Sequence, residues 1–289
     1  MGENRATASS DARRWNSIAE RLHDGLWMDP VLAEHYRQVH LEMCARWAPS
    51  TTPRRILKTD VFAEAVCPQR AFSWDMANDG QLVAFDISAH LTTQARMHAS
   101  TLGRADTVYM VADARRLPFA DDTFDLIVSD STLDHFRDTC DIAVALRELA
   151  RVLRTGGTLI ITLDNPRNLT QPLMKLWLRL GWAPFFIGRT LPRKALVIAL
   201  EDAHLRVTES AALLHHLRFF TKSSLHMMRR VIPHRAERIG RAMLRMTEAL
   251  GRLPTREQTA LFVAACAIKP TTTRCERALP EQPHGSHAQ

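Results

Sequence analysis

Val111-Ala112-Asp113-Ala114-Arg115-Arg116-Leu117-Pro118-Phe119-Ala120-Asp121-Asp122-Thr123-Phe124-Asp125-Leu126-Ile127-Val128 decides the fold. An apolar run closes on a carboxylate at Asp113, a polar turn with Pro118 and two acids follows, and a second apolar run begins at Phe124. Short apolar runs bounded by turn residues read as strands buried on both faces. Outward from this pair, Arg55 to Lys58, Gln81 to Phe85, Thr107 to Val111, Phe124 to Ser129 and Thr158 to Leu163 read as strands. Ile142 to Leu153 is the clearest helix between them. Ile142, Leu146, Leu149 and Leu153 form one stripe of that helix, and Arg154-Thr155-Gly156-Gly157 is expected to stop it. Strands alternating with helices predict a parallel α/β sheet, and right-handed crossovers bring the carboxyl ends of its strands to one edge, where ligands bind.

Around this core, residues 1–50 read as an N-terminal helical cap. Its two helices carry Trp15, Ile18 and Leu22, then Leu32, Tyr36, Val39, Met43 and Trp47, broken at Asp29-Pro30. The main domain is expected over residues 51–270. After Leu163 an aromatic stretch with Trp177, Trp182, Phe185 and Phe186 reads as core, as a lid over an apolar acceptor, or as an interfacial contact, so 169–190 and 222–252 are candidate lid elements. A helix is expected from Arg193 to His204, a last strand from Thr259 to Ile268, and disorder over 271–289.

Composition narrows the function. The 289 residues, 46% hydrophobic and 24% charged, describe one large globular domain, or one with an appendage. No run of eighteen apolar residues and no apolar leader stands in the sequence, and five scattered cysteines include no CxxC pair, which points to a cytoplasmic protein without a structural zinc. The net charge of +7 is uneven: from Lys222 to Arg256 nine Lys/Arg face two acids. In the helix expected over 235–251, Ile239, Met243, Met246 and Leu250 line one face and Arg238, Arg241 and Arg245 the other. Such a helix is a solvated face over a core, or a surface for an anionic substrate or a peripheral membrane contact. No nucleic-acid-binding module is present, and the arginines do not alternate with aromatics, which argues against nucleic acid. Nothing in the sequence reports an oligomeric state.

An acid before Leu-Pro-Phe, a Phe-Asp-Leu-Ile strand and Leu146-Arg-Glu-Leu-Ala-Arg-Val-Leu-Arg-Thr-Gly-Gly157 together resemble the class I S-adenosylmethionine (SAM)-dependent methyltransferases, in particular the type 11 group. The resemblance runs from about Ile56 to Leu163 and more weakly to Pro270. It implies a Rossmann-like class I methyltransferase sandwich, a mostly parallel seven-stranded sheet with N-terminal helices and a C-terminal helical elaboration. It also implies SAM as cofactor and methyl transfer to a hydroxyl, amine or carbon of a small molecule, apolar or anionic. The acid at Asp86 would hold the ribose and that at Asp113 the adenine amino group. Ile87, Ala114, Asp130 and Ser131 complete this side of the site.

On chemistry alone, Asp86 after the second strand suits ribose hydroxyls, a dinucleotide ribose, or simply a turn. The dinucleotide reading lacks a GxGxxG turn. The family's first strand ends in an acid and a glycine-rich turn, whereas here Lys58-Thr59-Asp60 follows Ile56-Leu57 and no glycine occurs before Gly80. Two consequences are open. Asp60 and Glu64 partner the ammonium group of SAM, with Thr59 adding a hydrogen bond; or cofactor binding is lost and the fold serves as a binding or regulatory partner. His135, in Ser129-Asp130-Ser131-Thr132-Leu133-Asp134-His135, is the candidate base or a packed ring, and Asp164-Asn165 either orients the acceptor or forms a polar strand exit.

Overall fold

The computed structural model describes residues 2–22, 28–49, 52–76, 80–180 and 186–271. Two helices, α1 (Gly2–Leu22) and α2 (Pro30–Trp47), lead into β1 (Arg55–Thr59). There follow α3 (Phe62–Val66), α4 (Ser73–Met76), β2 (Gln81–Asp86), α5 (Ala89–Thr101), β3 (Val108–Val111), β4 (Phe124–Asp130), α6 (Thr139–Val152) and β5 (Leu153–Asp164). The remainder comprises α7 (Gln171–Arg179), α8 (Arg193–Asp202), β6 (Arg206–Leu213), α9 (Arg218–Val231), α10 (Pro233–Glu248), α11 (Arg256–Thr259) and β7 (Phe262–Ile268).

The seven strands form one sheet in the order β3-β2-β1-β4-β5-β7-β6, parallel except for β7, which runs against both neighbours. Alternate side chains of each strand enter different cores, as the two-residue period of a strand requires. Leu57, Phe85, Ile127, Leu159 and Ala265 face one cluster with α6 and α8; Ile56, Ala84, Leu126, Ile160 and Ala264 face the other. Met43, Cys44 and Trp47 of α2 belong to that second cluster. Side-chain oxygens start the helices where a backbone N–H lacks a partner. Asp29 accepts from Val31 N at 2.9 Å, Ser88 from Leu91 N at 3.1 Å, and Asp138 from Cys140 N at 3.0 Å.

Several expectations need correction. Gly156-Gly157 does not end α6, which stops at Val152. The glycines lie inside β5, where Gly156 adopts φ +76° and its N–H reaches Lys269 O at 2.8 Å. The final strand starts at Phe262, because Arg256–Thr259 forms α11. The basic helix is α10, and its buried stripe is Ala236, Gly240 and Leu244. Ile239 and Met246, assigned to the core face, are exposed, so the sequence reading was rotated by about one residue. The aromatic stretch is core only in part: Met174 is buried, whereas Leu173 and Leu176 are exposed. Trp182 and Phe185, and all but Thr271 of the tail expected to be disordered, lie outside the described residues.

Segment 186–190 is tied to the turn after β4. Gly188 N donates to Asp134 O at 2.8 Å and Arg189 N to Phe136 O at 2.7 Å. A Cβ on Gly188 would collide with the Phe136 carbonyl oxygen. Gly188→Ala is therefore expected to cost about 1–3 kcal/mol as the two segments are pushed apart. Urea unfolding should show the loss, and amide exchange at residue 189 should accelerate; unchanged protection there would count against the contact.

Candidate active site

The carboxyl ends of β1, β2, β3 and β4 bring Asp60, Asp86, Asp113 and Asp130 to one edge. Asp60 takes φ +70°, a left-handed conformation for which glycine is usual and which aspartate tolerates because its side chain can bond the local backbone. Its Oδ1 accepts from Phe62 N at 2.6 Å. Asp86 closes the same turn, its Oδ2 accepting from Val61 N at 3.2 Å and its Oδ1 from Ser88 N at 2.8 Å. Asp60 thus occupies conformationally the place of the missing glycine.

Beneath this turn lies a pair of opposite charges. Lys58 is 2% exposed, its Nζ donating to Asp60 O at 2.5 Å and to Glu64 Oε2 at 3.2 Å. Glu64, fully buried, also accepts from Ser73 Oγ at 2.5 Å. Burial pulls the Lys58 ammonium down, but the charges of Glu64, Asp60 and Asp130 outweigh it and hold the group above its ordinary range. Glu64 is therefore already paired, which overturns its assignment to a ligand ammonium. Thr59 is likewise committed within the sheet: its hydroxyl donates to Ser129 Oγ at 3.0 Å and lies 2.6 Å from Thr132 Oγ1.

Two cavities occupy the edge and share Trp15, Asp60 and His135. The smaller, about 50 Å³, is lined by Asp60, Asp86, Ile87, Asp113 and Ala114 and covered by Asp11 and Trp15 of α1. The larger, about 360 Å³, is lined by Asp130, Ser131 and Asp164, by Tyr36, Phe62, Trp177 and Phe262, and by Arg70, Arg218 and Lys222. Ligand pockets hold roughly 300–1,000 Å³, so the larger is of ligand size and the smaller, as it stands beneath α1, is below it. Ties across α1 are polar as well as aromatic: Asn16 Oδ1 accepts from Ser88 Oγ at 2.6 Å, and the Trp15 ring lies edge-on to His135 with centroids 4.7 Å apart.

The residues expected to contact cofactor or acceptor stand as follows. Asp60, Asp86, Ile87, Asp113 and Ala114 meet at the smaller cavity, and Asp130, Ser131 and Asp164 at the larger. Asp113 is held by Arg115, whose Nε lies 3.0 Å from Oδ1 and whose NH2 lies 2.8 Å from Oδ2. Ser131 Oγ donates to Asp134 Oδ2 at 2.9 Å. Asn165 lines neither cavity: its amide nitrogen donates to Glu257 O at 2.6 Å and Ala260 O at 3.0 Å, clamping the approach to β7. His135 lines both cavities, and its Nδ1 lies 2.7 Å from Phe186 O. A carbonyl only accepts, so Nδ1 carries a proton, and Nε2 stands 4.0 Å from Asp134 Oδ1.

Sequence reading singled out Trp177 as a candidate lid residue, gave Tyr36 only a packing role, and missed Arg70, Arg218 and His40. Arg218 NH2 donates to Asp164 Oδ1 at 2.8 Å. Its four-residue spacing from Lys222, which puts both on one helical face, was the one available signal. His40 Nε2 lies 3.0 Å from Asp130 Oδ1, and Thr162 Oγ1 donates to that oxygen at 2.7 Å. Burial opposes the charge on Asp130, yet His40, Arg70 and Lys58 together hold its carboxyl far below the usual range.

Asp60 and Asp86 shift the other way from Asp130. Burial raises both, and the charge of Asp86 adds to it at Asp60, which stands well above its ordinary range. Two such carboxyls are relieved by a ligand that brings positive charge or hydroxyl donors. SAM has both, a sulfonium and ammonium beside ribose hydroxyls, and so fits the donor set.

His216, 2% exposed beside Tyr36, has neither ring nitrogen bonded, and burial followed by the charges of His35, Arg218 and His215 drives it down to about 3. Its folded value lies below its unfolded one, so the native ring stays neutral while the unfolded ring takes a proton below its ordinary value of 6.5. Stability is unaffected above that value and lost as pH falls from it toward about 3, by about 1.4 kcal/mol per unit. At pH ~5 His216→Phe should therefore keep about 2 kcal/mol that the parent loses. Parallel urea titrations at that pH and near neutrality give the difference, and equal acid limbs would refute it.

The methyltransferase domain family matches residues 65–161. The chain is 31% identical over 102 residues to the uncharacterized protein YafE of Escherichia coli strain K12, covering 35% of this chain and 47% of that protein. It is 33% identical over 141 residues to the ubiquinone/menaquinone biosynthesis C-methyltransferase UbiE of Proteus mirabilis strain HI4320, covering 48% and 52%. The chain spans about half the length of these curated relatives. Among solved structures, phosphoethanolamine N-methyltransferase 2 of Haemonchus contortus, in complex with phosphomonomethylethanolamine and S-adenosylhomocysteine, aligns with a TM-score of 0.56 at 14% identity, over 83% of this chain and 57% of that one. That likeness bears on the fold alone. Sheet order and strand-end carboxylates agree with a class I methyltransferase fold, and residues 65–161 match the methyltransferase domain family.

Proposed function

We propose that the chain is a SAM-dependent methyltransferase acting on a small, flat, largely apolar acceptor with an acidic or anionic group. The observation that carries this reading is the meeting of two cavities at Trp15, Asp60 and His135, carboxylates on one side and aromatic walls with cations on the other. The name of the UbiE relative, a C-methyltransferase of quinone biosynthesis, is in keeping with an aromatic acceptor. When bound, the cofactor supplies a methyl group on a positively charged sulfur. Asp86 and Asp113 would accept from the ribose hydroxyls and the adenine amine, and Asp60 would face the methionine end. Trp15, Phe62, Trp177 and Phe262 would orient the acceptor and exclude water, which is most of what an already activated methyl requires. Arg218 and Lys222 would attract the anionic group, and His135 Nε2 would take the acceptor's proton.

Isothermal titration with SAM and S-adenosylhomocysteine tests the first half, and release of S-adenosylhomocysteine in the presence of a hydroquinone or a phenolic acid the second. Micromolar binding followed by release is the expected result. No binding of either nucleoside would sink the reading. Binding without turnover on any acceptor would favour the second reading, a fold retained as a binding or regulatory partner, for which Lys58 at the usual acid's position is the argument.

A further inference from the structure

The helices beside the larger cavity carry apolar side chains on their outer faces. On α7, Met174 and Trp177 line the cavity, whereas Leu173 and Leu176, with Leu180 at the C-cap, are 45%, 50% and 49% exposed. Spacings of three and four residues put those leucines on one stripe. The pattern repeats on α9: Arg218 and Lys222 line the cavity, while Phe220, Met227 and Val231, spaced by seven and four, are each more than 60% exposed. α10, packed on α9, exposes Met246 and Ile239.

Cations are interleaved with these residues. Lys175 and Arg179 are exposed on α7, Arg230 on α9, and Arg235, Arg238 and Arg245 on α10. The two acids of α10 are engaged elsewhere, Glu237 with Arg241 and Glu248 with His35. Exposed apolar stripes beside unneutralised arginines are the composition of helices that lie in a membrane interface, with the apolar face among acyl chains and the cations at anionic headgroups.

We propose that α7, α9 and α10 form a docking surface for an anionic lipid bilayer, placing the larger cavity against the membrane so that an apolar acceptor can enter it from the lipid phase. Charge complementarity selects this occupant, since a second copy of the chain would bring the same excess of cations to the contact. No helix among the described residues is long and apolar enough to cross a membrane, so the contact is peripheral.

Co-sedimentation of the full chain with vesicles tests the surface without SAM or acceptor, so its outcome is independent of the catalytic reading. Binding is expected to vesicles rich in phosphatidylglycerol, not to phosphatidylcholine alone, and to weaken with salt. Arg235→Gln with Arg238→Gln should weaken it about 25-fold, the two lost cations counting roughly fivefold each. Leu173→Asp with Leu176→Asp should weaken it at least about tenfold, with the circular dichroism spectrum unchanged because both side chains are exposed. Failure to bind phosphatidylglycerol vesicles, or equal binding by the leucine variant, would overturn the proposal. So would a dimer seen by light scattering that the leucine substitutions abolish, since the stripe would then be an interface between copies.

Discussion

Asp86→Ala is expected to reduce SAM affinity by a hundredfold or more and to lower stability at the same time. Two separable losses produce this. A carboxylate receiving two ribose hydroxyls makes charge-assisted bonds of about 1.5–3 kcal/mol each, and about 3 kcal/mol already exceeds a hundredfold. The same carboxylate accepts from the N–H groups of Val61 and Ser88, and leaving those buried donors without a partner costs about 1–3 kcal/mol apiece. Asp86→Asn distinguishes the two, because its amide oxygen can still accept one backbone bond while its nitrogen cannot accept from a hydroxyl. Calorimetric titration with S-adenosylhomocysteine and urea unfolding of both variants give the comparison. If Asp86→Ala bound the nucleoside as tightly as the parent, the ribose assignment would fail.

The second large effect is expected at Lys58. Removing one partner of a buried ion pair costs about 3–5 kcal/mol, because the other charge is left without compensation. In Lys58→Met that charge is Glu64, fully buried and, among the described residues, bonded further only by Ser73. The double variant Lys58→Met/Glu64→Leu should recover most of the stability, since an apolar pair of similar volume carries no desolvation penalty. Nucleoside affinity should not recover with it. Lys58 Nζ also holds the Asp60 carbonyl, and with it the left-handed turn on which Asp60 and Asp86 meet. Unfolding midpoints and titrations on the same three proteins test both statements. A Lys58→Met variant within about 1 kcal/mol of the parent would show that Glu64 simply takes up a proton.

Much of the architecture was legible because parallel strands buried on both faces announce themselves as apolar runs, and Leu57, Ile127 and Leu159 leave little else to be read. The carboxylates at the strand ends were legible for the same reason: once a strand is located, its carboxyl end is too. What lay beyond reach were partners distant in sequence. Nothing near Lys58 says that Glu64 turns inward beneath the loop, and nothing near Asp164 says that Arg218 will meet it across 54 positions. The face of α10 was misread for a physical reason. Gly240 is buried against the side chain of Leu225, so a glycine, scored as neutral in any hydrophobic pattern, marks the buried side.

The placement of β7 has a consequence for synthesis. Its residues 262–268 follow both β5 and β6 in the chain, yet they lie between these two strands and pair with both along their length. Until they emerge, the nascent chain holds two strands whose hydrogen-bonding edges lack a partner, the condition under which strands capture one another between molecules. The yield of folded protein should then be decided at the moment β7 becomes available, with that strand acting as a keystone.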